Sequence, residues 1–105
     1  MYTIRYLPLA LDDLKDILGY ISNKLGAPRA AEKLRIKIDK EILQTARNPF
    51  RCHVYAPYEK FKNEYRALHV DNYTLFYVIE KNKVEIHRVL YSRRDTLKIL
   101  KTVDT

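Results

Sequence analysis

A chain of 105 residues, 47% hydrophobic and with only 2 glycines and 4 prolines, has the makings of one packed domain. That composition excludes a disordered chain and a glycine-rich phosphate loop. Twenty Lys and Arg against thirteen Asp and Glu leave a formal charge of +7, which favours an anionic partner, whether nucleic acid, an acidic protein or an anionic surface.

Both halves share the excess. Nine bases and six acids precede Phe50, and eleven and seven follow it, so the charge is not that of a basic tail. No apolar run approaches the roughly 20 residues of a membrane span, and "MYTIRYLP" lacks the pattern of a secretion signal, so a cytoplasmic protein is expected. Cys52 is the single cysteine and excludes an internal disulfide. Its neighbour His53 does not make zinc-ligand spacing, and no metal or other cofactor is expected. Nine tyrosines suit base stacking but suit the boundary of a small core better.

In chain order, Tyr2, Ile4 and Tyr6 alternate with Thr3 and Arg5, which predicts a strand with one covered face, ended by Pro8. Ala10, Leu14, Ile17, Leu18, Ile21 and Leu25 then recur at helical spacing, with Asp12, Asp13 and Asp16 in the early turns and Gly26 as the stop. Pro28 opens a second helix whose stripe is Ala31, Leu34, Ile38 and Ile42, closing at Pro49. The two helices form an antiparallel hairpin.

Phe50 to Asn63, with Pro57, has no clear period and reads as a loop or irregular edge. "EYRALHV", "YTLFYVIE" and "KVEIHRVLY" are three strands joined by the short turns "DN" and "KN". The middle one is apolar on both parities and should be central and covered twice. In the last, Val84, Ile86 and Leu90 are expected on one face and Glu85, His87, Val89 and Tyr91 on the other, with Arg93 extending that second row. "RRDTLKILKTVDT" predicts a short helical turn capped by Asp95 or Thr96, with a frayed end. The fold class is therefore α+β: an N-terminal strand, a helical hairpin packed on one face of a small, mainly antiparallel sheet, and a C-terminal helical turn, in one domain over residues 1–105. The second sheet face is expected to be open.

Strand, helical hairpin and meander, with "ALDDLKDILGYISNKLGAPRAAEKL" and "YRALHVDNYTLFYVIEKNKVEIHRVLYSRRD", resemble the RelE/ParE superfamily of toxins from type II toxin-antitoxin modules, over Tyr2 to about Asp95. The resemblance implies a growth inhibitor neutralised by a cognate antitoxin whose acidic or amphipathic segments wrap the toxin. It also implies one of two targets: the ribosome and its mRNA, cut without a metal, or DNA gyrase, poisoned without nuclease activity. The mRNA endoribonuclease is the favoured expectation, with Arg66, His87, Tyr91 and Arg93 as its catalytic set. Arg66 and Arg93 would clamp the phosphate, His87 and Tyr91 would move protons or stack bases, and Lys60, Lys62 and Arg94 would bind RNA.

Leu68, Thr74 and Ile99 depart from the nuclease pattern, and "YISNKLGAPRAAEKL" and "RVLYSRRD" resemble gyrase-directed members at least as well. A non-toxic nucleic-acid-binding module is the third reading, and a homodimer or a toxin-antitoxin hetero-oligomer is left open. Ordinary structural roles are available too. Arg93 and Arg94 could pair with Asp95, and Arg66 with Glu80 or Glu85 across strands. His87 reads as a solvated strand residue, Tyr91 as a rim aromatic, and Arg88 as one half of an ion pair with an acid on the first helix.

Overall fold

The computed structural model describes residues 1–55 and 60–104, so Pro57 lies outside the described residues. β1 (Thr3–Tyr6) leads into α1 (Pro8–Gly19), and α2 (Pro28–Arg47) is followed by β2 (Arg66–Val70), β3 (Tyr73–Glu80), β4 (Lys83–Tyr91) and α3 (Thr96–Lys101). The sheet order is β1-β4-β3-β2. β1 runs parallel to β4, and the other pairs are antiparallel. The "DN" and "KN" turns bring Val70 opposite Tyr73 and Glu80 opposite Lys83, with Asp71 and Lys81 at φ 52° and 58°.

Pro8 starts α1, so its first turn holds no acid and Asp12, Asp13 and Asp16 fall later than the dipole argument places them. After Gly19 the helix widens: Tyr20–Lys24 is a π-turn, closed by the Leu25 N–H donating to the Tyr20 carbonyl at 3.0 Å. One extra residue per turn rotates the stripe, and Leu25 ends up exposed rather than in the core. Gly26 follows at φ +60°, the left-handed conformation that a glycine adopts without steric penalty. On α2, Ala31, Leu34, Ile38 and Ile42 are buried as their spacing predicts.

β3 and β4 are both internal, and β3 is apolar on two faces because it is covered on both. On the hairpin side, Leu75 and Tyr77 pack with Leu34, Ile38, Val84, Ile86 and Val89. On the other side, Phe76 and Val78 pack with Tyr65, Leu90 and Leu100, joined by Tyr55, Phe61, Ile99 and Val103. The face expected to be open is thus largely roofed by α3 together with Tyr55, Phe61 and Tyr65. The chain end is tied as well, because the Asp104 carboxylate accepts from the Lys62 and Asn63 N–H groups at 2.6 and 3.0 Å.

The expected alternation along β4 also needs correction. Phe76 faces Arg88 while Tyr77 faces Ile86, so His87 has no opposite residue and forms a β-bulge. Past it the parity inverts: Val89, not Leu90, joins Val84 and Ile86 under the hairpin.

β1 covers β4 only up to Ile86, and beyond that point α1 takes over. The Asp13 carboxylate accepts the Val89 N–H at 2.9 Å and holds the Arg88 guanidinium at two points, 2.7 and 2.8 Å. Hydrogen bonding to Asp13 raises the Arg88 pKa above its usual range. This is the ion pair with the first helix that the sequence pattern invited. Both side chains are largely buried, at 15% and 13% exposure. Asp13→Ala should therefore lower unfolding free energy by about 2–3 kcal/mol, read as a shifted urea midpoint, because it strands a guanidinium and a backbone N–H together. Glu32→Ala, which removes an exposed partner of Arg35, should hardly move it.

Candidate functional site

The residues proposed from sequence fall into three separate places. Arg66 stands opposite Tyr77, which in turn faces Ile86, so all three belong to the hairpin side of the sheet. Its Nη1 donates to the Cys52 carbonyl at 2.6 Å, its guanidinium lies 5.1 Å from the centroid of the Phe50 ring, and Glu64 is 3.4 Å away. Neither Glu80 nor Glu85 is its partner among the described residues. At 13% exposure the side chain works as a brace for the segment after α2. The nearby Tyr77 hydroxyl donates to the Pro49 carbonyl at 2.6 Å, and burial raises its pKa.

His87 lies on the opposite face. The bulge turns its ring towards Tyr65, where it is 7% exposed and meets that ring edge-on at 5.2 Å. Its Nδ1 shares a 3.1 Å hydrogen bond with the Tyr65 hydroxyl, while the buried Nε2 has no hydrogen-bond partner among the described residues. Glu85 Oε1 is 3.9 Å from Nε2. The expectation of an open-face base thus meets a core histidine, because the extra residue points it into the second cluster. Burial lowers its pKa below the ordinary 6.5, against a smaller opposing pull from Glu85 and Asp104, so the neutral ring is favoured. Tyr65, buried beside it, is raised by the same desolvation.

The third place is the end of β4. The strand stops at Tyr91, so Arg93 sits in the turn to α3 and does not continue a strand row. That turn is held tightly: the Ser92 N–H donates to the Asn72 carbonyl at 2.8 Å, and the Arg94 N–H to the Tyr91 carbonyl at 3.0 Å. Ser92 Oγ lies 2.7 Å from Thr74 Oγ1, which also shares a 3.0 Å hydrogen bond with His69 Nδ1. Asp95 is occupied as the N-cap of α3, accepting the Lys98 N–H at 3.2 Å. Arg93 and Arg94 are exposed and have no ion-pair partner among the described residues. Tyr91 is 38% exposed and its ring meets Tyr73 at 5.9 Å.

Lys60 and Lys62 are exposed on either side of Phe61, which packs into the second cluster. Cys52 is a free, half-buried thiol, and no group of three potential metal ligands occurs among the described residues. Likewise, no helix there is long and apolar enough to cross a membrane. Sequence reasoning missed Tyr65 as the partner of His87 and Asp104 as the anchor of the loop. Each of these contacts spans over twenty residues, and no local spacing announces it.

The order strand, helical hairpin, meander and short helix, with β1 returning to pair in parallel with β4, is the architecture of the RelE/ParE superfamily of toxins. The chain belongs to the family described as the ParE toxin of type II toxin-antitoxin system, parDE, which it matches over residues 4–96. Among solved structures it is similar to a chain from the "Chromosomal ParDE TA system from P. aeruginosa", at 16% identity and a TM-score of 0.66, covering 85% of this chain and 94% of that one. At that identity the likeness speaks for the fold. No curated protein matches the sequence. The protein is thus a toxin of a type II toxin-antitoxin system.

The buried His87 sets a pH dependence whose sign follows from its lowered pKa. Below 6.5 the unfolded chain binds a proton that the folded ring resists, so stability present above that value is lost as pH falls towards the folded pKa. Between about pH 7.5 and about pH 5.5, the urea midpoint of the native protein should fall more than that of His87→Phe.

Proposed function

We propose that this toxin acts by binding DNA gyrase and arresting it on cut DNA, and that it does not cut mRNA on the ribosome. Self-cleavage of RNA needs a proton acceptor, a proton donor and phosphate-holding cations gathered within a few ångströms of one phosphate. The observation that carries the reading is that Arg66 and His87 project from opposite faces of the sheet. The rows of Arg66 and Tyr91 are also four residues apart on β2, roughly 14 Å along the strand. A poison, by contrast, needs a recognition surface and no acid–base pair. The exposed Tyr91, Arg93 and Arg94 supply one, and membership of the ParE family supports the same target.

A cognate antitoxin completes the reading. Leu9, Leu11, Leu25, Ile36 and Leu43 are exposed on the helical hairpin, and on α2 Ile36 and Leu43 alternate with the exposed Lys40 and Arg47 at helical spacing. Such a surface suits an amphipathic segment with acidic residues, which would cover the apolar side chains and neutralise the cations.

The test runs the purified protein in two reactions. In a gyrase supercoiling assay it should trap cleaved plasmid, and in a translation reaction the mRNA should stay intact. Messenger RNA cut at ribosomal codons, with gyrase unaffected, would overturn the reading and return Tyr91 and Arg93 to a catalytic role.

A further inference from the structure

His87 has more hydrogen-bonding capacity than its surroundings answer. Nδ1 shares a 3.1 Å hydrogen bond with the Tyr65 hydroxyl, and the buried Nε2 has no hydrogen-bond partner among the described residues. A neutral imidazole satisfies Nδ1 in either tautomer, because the hydroxyl can donate or accept. A doubly protonated ring must donate from both nitrogens, and an acceptor lies within hydrogen-bond reach of Nδ1 alone among the described residues.

The nearby acids are committed elsewhere. On the same strand, Glu85 Oε1 is 3.9 Å from Nε2, while its Oε2 accepts from Arg5 Nη1 of β1 at 3.2 Å. Asp104, at the chain end, draws on the ring electrostatically but accepts the Lys62 and Asn63 N–H groups and Asn63 Nδ2, the last at 2.9 Å. On this face β3 offers the apolar Phe76 and Val78 and α3 the apolar Leu100, with Lys98 and Lys101 exposed.

Tyr65 couples the ring to the roof over the second sheet face. Its side chain meets the Phe61 ring edge-on at 5.3 Å and packs in one cluster with Leu100 of α3. Phe61 in turn meets Tyr55 at 5.9 Å, and the Tyr55 hydroxyl lies 2.7 Å from Thr96 Oγ1 at the start of α3. The two residues after Phe61 are the ones that Asp104 holds.

We propose that His87 is an acid-operated latch for this roof: a second ring proton displaces Tyr65 from its present hydrogen bond, and α3 with the Phe61 segment lifts so that water can meet the charge. The hairpin-side core, across the sheet, stays packed. Opening uncovers Phe76, Val78 and Leu90, an apolar face hidden at neutral pH. The closed state resists a proton that the open state binds below about pH 6.5, so acid favours opening. The chain-end tie is not what acid removes. Against the upward pull of burial, the N–H groups donated to Asp104 hold its pKa below the usual carboxylate range, so it stays ionised where the ring titrates. The latch works the same way whether gyrase or the ribosome is the toxin's target.

Amide hydrogen exchange of the native protein, corrected for the intrinsic pH dependence of exchange, tests it. The Thr102 and Val103 amides, which donate to the Ile99 and Leu100 carbonyls, should exchange faster than those of Leu34 and Ile38 in α2, through an opening short of global unfolding. Their protection should fall about tenfold between about pH 7.5 and about pH 5.5, the proton uptake of one imidazole of ordinary pKa in the open state. His87→Phe should abolish that fall. The joint change His53→Gln and His69→Gln should keep it, which assigns the proton to His87 even where the phenylalanine variant does not fold. Protection of α3 independent of pH would overturn the proposal, as would a fall that persists in a folded His87→Phe or disappears in the joint variant. Equal protection of α3 and α2 at both pH values would also overturn it, by showing that the roof opens only when the whole molecule unfolds.

Discussion

β4 carries one residue more than its partner needs, and most of the molecule's side-chain geography follows from it. Strand side chains alternate, so an extra residue at His87 inverts the parity of everything after it. Val89 is thereby delivered to the hairpin-side core, Leu90 to the core under α3, and Tyr91 to a position facing Tyr73. The same step lies just beyond the end of β1, where the strand edge would otherwise present unpaired backbone groups. There Asp13 of α1 accepts the Val89 N–H and grips Arg88, so one carboxylate fastens helix to sheet at the place where the sheet loses its neighbour.

Two cores, not one, result from this arrangement. A four-stranded sheet with helices on a single face would leave Phe76, Val78 and Leu90 in water, at roughly 1.5–3 kcal/mol for each large apolar side chain. The short helix α3 and the aromatic residues Tyr55, Phe61 and Tyr65 close that face instead. The bond between the Tyr55 and Thr96 hydroxyls, 2.7 Å long, and the Asp104 carboxylate on Lys62 and Asn63 hold this lid at both ends. Desolvation alone would raise the Asp104 pKa, but the donated N–H groups outweigh it and hold the carboxylate below its usual range. The histidine enclosed there is favoured neutral because burial penalises its charged form.

With the interior so occupied, the free chemistry of the molecule moves to its edges. Arg66 commits Nη1 to the Cys52 carbonyl and His87 is enclosed, whereas the turn after β4 keeps two guanidinium groups and the Tyr91 ring exposed. Charge that is not consumed in internal pairs is charge available to a partner, and a chain of formal charge +7 concentrates some of it beside exposed rings.

Much of this was written in the chain itself. The stripes of α1 and α2, the three meander strands, the two short turns, the Asp95 cap and the Arg88 ion pair with the first helix are local or periodic features, and periodicity survives folding because it records which face must be buried. The exposure of Arg93 and the family resemblance were legible on the same terms. What only the tertiary structure decided were the features that depend on one residue too many or on contacts between distant segments: the bulge at His87, the π-turn that expels Leu25, the roof over the second sheet face, and the separation of Arg66 from His87. Alternation counted along a sequence assumes an unbroken strand, and a single insertion reverses every later side chain while leaving the composition untouched.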